Sequence, residues 1–164
     1  MATVLIFGGV GGWIGQERAH ASPAQTTVDL NGAFNEDAFS FDANRADGNF
    51  DGSGYTYAAD NRKAAFVYEW TNYRLGSFAA GKNNSVKATG QTLTIPAGKY
   101  ASIRILGAST NGDKTGTFRI RYSDSTYADV SVTMKDWSTA SPSGHVVQKT
   151  PHRHNGSGDA NLTN

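Results

Sequence analysis

Cysteine is absent from this 164-residue chain, which excludes disulfide bridges, thiol nucleophiles and any metal site built on thiolates. Proline is scarce, at 4 residues, and the formal charge is almost balanced at +1. A chain so close to neutral generates no field that draws nucleic acid or an anionic bilayer, so neither partner is expected. No apolar run reaches the ~18 residues of a membrane-spanning helix. The length suits one domain around one core of ordinary size. Glycine, by contrast, is plentiful, at 19 residues, and it is interleaved with Asn, Asp and Ser, the residues of tight turns.

From about Thr26 onward the chain alternates between short apolar-patterned runs and such turns, with no stretch of helical period. Strands are expected over 27–30, 54–57, 64–70, 91–95, 100–106, 116–122, 127–134 and 145–149. Alternation is clearest in Ser102-Ile103-Arg104-Ile105, Phe118-Arg119-Ile120-Arg121 and Val130-Ser131-Val132-Thr133, each with one apolar and one polar face. Asn111-Gly112 between two such runs is a hairpin signal. The expectation is an all-β fold in which two sheets pack their apolar faces together.

The ends differ from this middle. Residues 1–21 carry an apolar run, Val4-Leu5-Ile6-Phe7 to Ile14, then Ala19-His20-Ala21, the small-x-small form of a signal-peptidase site. Export is therefore expected, with the sandwich domain over 22–150, although no Lys or Arg precedes Arg18. The glycines after Phe7 also suggest a phosphate-binding loop. That motif needs a following helix to hold a pyrophosphate, and Pro23 leaves no room for one. Residues 151–164 contain almost no apolar side chains and are expected to form a flexible or truncated tail. His152-x-His154 lies in that tail, where two imidazoles are expected to be solvated rather than to hold zinc.

The most specific local pattern is Asp47-Gly48-Asn49-Phe50-Asp51-Gly52. Oxygen-bearing side chains at alternate positions, with glycine for a sharp turn, can converge on a hard cation, and Ca²⁺ is the ion expected. The loop is not an EF-hand, because Ala58 stands where that motif needs a bidentate Glu. Further ligands must come from elsewhere, and Asp42 and Asp136 are the candidates chosen to complete the site, with Asn44 and Asp60 also within reach. The plainer alternative is a turn whose Asp and Asn side chains bond their own backbone.

Together with Val67-Tyr68-Glu69-Trp70, Lys82-Asn83-Asn84-Ser85, Ile105-Leu106-Gly107-Ala108, Arg121-Tyr122-Ser123-Asp124 and Asp136-Trp137, the run Phe50-Asp51-Gly52-Ser53-Gly54-Tyr55-Thr56-Tyr57 resembles successive blocks of a β-sandwich accessory domain. That domain is attached to secreted actinobacterial glycoside hydrolases. The resemblance extends over about 27–154. It implies a galactose-binding-like, two-sheet jelly roll that is non-catalytic, carbohydrate-associated and in many relatives stabilised by Ca²⁺. The implied partners are a polysaccharide or glycan and a catalytic glycoside hydrolase domain. The family has Asp-Gly where Asp124-Ser125 stands, and continues into another strand after a block like Pro151-His152-Arg153. A sandwich missing its C-terminal strand is therefore expected here.

Glycoside hydrolysis requires two carboxyl groups across a cleft. Glu36 and Glu69 are the glutamates outside the leader-like segment, and Glu69 reads as a structural residue of an apolar strand. A Ser-His-Asp site needs a His held by the fold, whereas His145, His152 and His154 fall near the expected tail. No enzyme is expected. A sugar-binding surface instead uses an aromatic ring flanked by hydrogen-bonding groups. Most of the aromatics are expected to pack in the core. Trp70 and Tyr73, at the end of a strand with Asn72 and Arg74 beside them, are the expected sugar contacts. Trp137 is expected to plug the space beneath the 47–52 loop, and a spacer domain without a ligand is the alternative.

Overall fold

The computed structural model describes residues 3–8, 24–138 and 146–161. The chain is all-β, as its turn-rich alternation requires. β1 (Thr3–Gly8) lies between β2 (Ala24–Thr27) and β7 (Ser102–Leu106), antiparallel to both. β3 (Phe39–Ser40) runs parallel to β4 (Thr56–Ala58), and β10 (His152–Asn155) and β11 (Gly158–Asn161) extend that sheet in the order β11-β10-β4-β3. β5 (Ala65–Tyr68) with β6 (Thr71–Arg74), and β8 (Lys114–Arg121) with β9 (Tyr127–Met134), form two further antiparallel pairs. Among the described residues no helix is long and apolar enough to cross a membrane.

Of the leader-like segment, the described part is β1; Ala19-His20-Ala21 and the glycines after Gly8 lie outside the described residues. No strand forms over 91–95 or over the described part of 145–149. Asn111 and Gly112 do take positive φ, 57° and 93°, but the turn does not close a hairpin. β7 pairs with β1 and β8 with β9, so the turn carries the chain from one sheet to another. Ser125, φ 69°, occupies the left-handed conformation in the β8–β9 turn, for which glycine is the unstrained choice.

The largest correction concerns residues 151–164. Over its described part, 151–161, the segment expected to be a tail forms β10 and β11, while 162–164 lie outside the described residues; β11 supplies a strand after Pro151-His152-Arg153 where one was expected to be missing. Apolar burial does not hold it. β10 pairs with β4 through His154↔Thr56 and Arg153↔Tyr57. Arg153 lays its guanidinium over the Tyr55 ring at 4.3 Å and the Trp137 ring at 5.5 Å, contacts that are favourable where cation and ring are both shielded from water. On the opposite face of the strand, His154 is wholly buried.

The main core gathers Ala38, Phe39, Phe50, Ala59, Leu75 and Trp137. A second cluster is built on Val28, Leu30 and Val86. Phe50 stands edge-on to Trp137 at 5.1 Å, and Tyr57 does so at 4.8 Å, so Trp137 does sit beneath the 47–52 loop. In β8–β9 the register Phe118↔Val130 and Ile120↔Ala128 collects the apolar side chains on one face, as their alternation requires. That face is only partly covered, with Val130 41% exposed. Across the other face Arg119 grips Asp129 with two hydrogen bonds of 2.8 Å.

Candidate functional site

Apart from Asp42, the side chains expected to share one Ca²⁺ each accept hydrogen bonds from different backbone amides. Asp47 accepts the Gly81 amide, Asn49 accepts that of Gly54, and Asp51 accepts those of Ser53 and Tyr55. Asn49 and Asp51 close turns within the loop, the ordinary use of Asx residues, whereas Asp47 ties the loop to Gly81, 34 positions on. Phe50, 4% exposed, anchors the loop in the main core. Asp136 accepts Gly112 N–H and the Ser138 amide and hydroxyl. Burial pushes its carboxyl up, but these bonds outweigh that and hold it below the ordinary carboxylate value. Asp42 belongs to a different cluster.

That cluster is Asp42, His152, His154 and Asp159. Among the described residues it is the group of His and carboxylate side chains whose donor atoms all lie within 4.8 Å of one another. The topology explains it. His152 and His154 are two apart on β10 and share a face, and the β10–β11 register sets Asp159 directly opposite His154. Asp42 opens the short 3-10 turn that follows β3 in the same sheet. His154 Nε2 is 2.9 Å from Asp42 Oδ1, 3.0 Å from His152 Nε2 and 3.9 Å from Asp159 Oδ1. His152 Nε2 lies 3.7 Å from Asp42 Oδ1 and 4.0 Å from Asp159 Oδ2.

The other nitrogen of His154, Nδ1, meets Ser40 Oγ at 3.0 Å, and Ser40 Oγ in turn contacts Thr56 Oγ1. Ser40, Thr56 and His154 are each 0% exposed, so this is a buried polar row with its hydrogen bonds made internally. When the Ser40 hydroxyl donates to Thr56, His154 donates from Nδ1 and presents a bare Nε2 lone pair to the cluster. Arg45 braces the acidic side. Its Nε donates to Asp159 Oδ1 at 2.6 Å and its Nη2 to Asp42 Oδ1 at 3.1 Å. The hydrogen bond from that guanidinium holds the Asp159 carboxyl below its ordinary value. Asp42 and His152 also border an open cleft of about 450 Å³, lined in addition by Arg62, Lys63, Phe66 and Lys149.

The β5–β6 hairpin forms a second feature. The register Tyr68↔Thr71 leaves Glu69 and Trp70 as its two-residue turn, with φ of 45° and 61°. Both values are left-handed, as a type I′ turn demands, yet neither residue is the Asn or Gly usual there. Trp70 is 82% exposed. Gln25 clamps the tip to β2, donating to the Trp70 carbonyl and accepting from Asn72 N at 3.0 Å and Asn72 Nδ2 at 3.2 Å. Asn72 and Arg74 are exposed on β6, whereas Tyr73 points inward, 7% exposed and stacked on Phe66 at 5.5 Å. Tyr73 is therefore a core residue and not a sugar contact. Its place between the exposed Asn72 and Arg74 does not expose it, because Thr71–Arg74 is itself a strand whose faces alternate.

Glu36 and Glu69 have separate cationic partners. Glu36 is joined to Lys87 at 3.2 Å and Glu69 to Arg104 at 3.3 Å. Among comparisons with known proteins, residues 24–161 match the family model described as the AziU2-like beta-sandwich domain. No curated protein and no solved structure matches the chain.

Proposed function

The chain belongs to the AziU2-like β-sandwich domain family, and from that premise we propose that it is a non-catalytic, carbohydrate-associated accessory module whose sugar platform is Trp70. The observation that carries this is a large aromatic ring left 82% exposed on a turn whose φ of 61° strains it. A non-glycine residue in that conformation costs ~1–2 kcal/mol, and strain of this kind is concentrated where function requires it. The Gln25 clamp fixes the tip before any ligand arrives, which limits the ordering cost of binding. Asn72 and Arg74, exposed on β6, supply the polar contacts of such a surface. The neighbouring catalytic unit is a glycoside hydrolase domain and the setting extracellular, in line with the sequence resemblance.

The test is affinity electrophoresis of the full chain through gels containing a panel of plant and microbial polysaccharides. Retardation is expected on at least one of them, with no turnover. Trp70→Ala should weaken it by about tenfold or more, equivalent to ~1.4 kcal/mol. The double change Glu69→Asn with Trp70→Gly installs the preferred turn residues. It should raise thermal stability while abolishing retardation, which separates binding from folding. Equal retardation of Trp70→Ala and the parent chain refutes the platform, and no retardation on any gel favours a ligand-free spacer.

A further inference from the structure

We propose that Asp42, His152, His154 and Asp159 bind a divalent transition ion of the zinc class, which fastens the β10–β11 hairpin to the turn after β3. Imidazole nitrogen with carboxylate oxygen is a donor set suited to Zn²⁺ and its neighbours rather than to Ca²⁺, which takes oxygen alone. The spacing agrees. Bonds of about 2.0–2.2 Å in a tetrahedron place donors ~3.3–3.5 Å apart, and the four donor atoms all lie within 4.8 Å of one another, the closest pair 2.9 Å apart. Convergence is therefore already present.

Two further features belong to a metal site. First, the ligands are oriented from behind: Ser40 holds His154 through Nδ1, and Arg45 holds both carboxylates. Outer contacts of this kind fix the tautomer and direction of ligating groups. Second, the ring nitrogens of His152 and His154 face each other at 3.0 Å beside two carboxylates. One proton can satisfy a single N···N contact, whereas a cation satisfies both nitrogens and the oxygens together. Arg45 offsets one of the two carboxylate charges, so with neutral imidazoles the cluster keeps a net negative charge that favours a cation. The ion has work to do, because β10 and β11 bring almost no apolar side chains of their own to the fold.

The experiment uses the untagged full chain, so that no added histidines compete. Titration with Co²⁺ should give the visible absorption of a tetrahedral ion, saturating at one equivalent and displaced by Zn²⁺. Zinc at ~100 times its Kd should raise Tm by about 5 °C or more, and it should slow amide exchange in β10 and β11 before the rest of the chain. Ca²⁺ should do neither. His152→Ala and Asp159→Asn should each weaken Co²⁺ by at least ~100-fold, beyond what loss of an outer contact costs. Asp159→Asn keeps its shape and its exposed position, so it reports on the site even where His152→Ala disturbs folding. The proposal is overturned if Co²⁺ does not saturate near one equivalent, if both variants bind like the parent, or if Ca²⁺ stabilises as well as Zn²⁺. None of these results bears on polysaccharide retention at Trp70.

Discussion

Replacing Asn84 by alanine should be among the most damaging single changes to this domain. Asn84 is 0% exposed, and its side chain joins two segments far apart in sequence. Its Oδ1 accepts the Ala38 amide at 2.8 Å, and its Nδ2 donates to Asp37 Oδ1 at 2.5 Å and to the Lys82 carbonyl at 3.2 Å. In Asn84→Ala the Ala38 N–H is left in the core without a partner, a loss of ~1–3 kcal/mol. Asp37 loses its amide donor as well, and its Oδ2 is already buried without a hydrogen bond. Bonds to a charged acceptor contribute ~1.5–3 kcal/mol, and the lower end applies here because Asp37 is only half-buried. The sum is about 3 kcal/mol, which for a domain of this size lowers Tm by ~6–12 °C. Urea denaturation should show the midpoint falling with an unchanged slope. A loss below ~1 kcal/mol would refute the inference that this side chain bridges the two segments.

Two predictions follow from the same region. Burial raises the Asp37 pKa above its model-compound value of 3.8, against hydrogen bonds from Asn84 and Phe39, and the nearby Asp47 charge adds to the rise. A folded-state pKa above the unfolded one means that the proton favours the fold below 3.8, and that this contribution is lost as pH rises through the folded value. Asp37→Asn should therefore be more favourable relative to the parent at about pH 7 than at about pH 3; a difference in Tm that does not shrink on acidification would contradict the assignment. Gly76 needs its missing Cβ for another reason. A Cβ there would stand 2.7 Å from Asn84 Cα and 2.8 Å from the Asn84 carbonyl carbon, both backbone atoms that cannot rotate away. Gly76→Ala should cost ~1–3 kcal/mol through overpacking, and calorimetry showing an unchanged Tm would indicate that the two segments are not in contact.

Much of the site lies beyond what local pattern can report. Trp70 was legible as a candidate because it ends a strand-like run, but the alternation that buries Tyr73 depends on Thr71–Arg74 being a strand, and its short polar sequence carries little sign of that. The Asp47–Asp51 spacing pointed to a shared cation. Alternate oxygens serve equally well to cap separate amides, and spacing alone does not distinguish the two uses. His152 and His154 were set aside because their surroundings are polar. Hydrophobicity could not reveal a segment anchored by strand pairing, by Arg153 over two rings and by a Ser40–His154 contact across 114 positions of sequence.

The sequence by itself determined the all-β character, the turn at Asn111-Gly112, and the apolar and polar faces of β8 and β9, because period-two alternation and left-handed turn residues are local properties. Tertiary structure alone decided which strands pair, that Arg153 and His154 lie on opposite sides of a sheet, and that Asp42 meets two imidazoles and Asp159. Those outcomes depend on register between distant strands. A shift of one residue turns every side chain to the other face, so the gathering of donor atoms is a property of the assembled sheet.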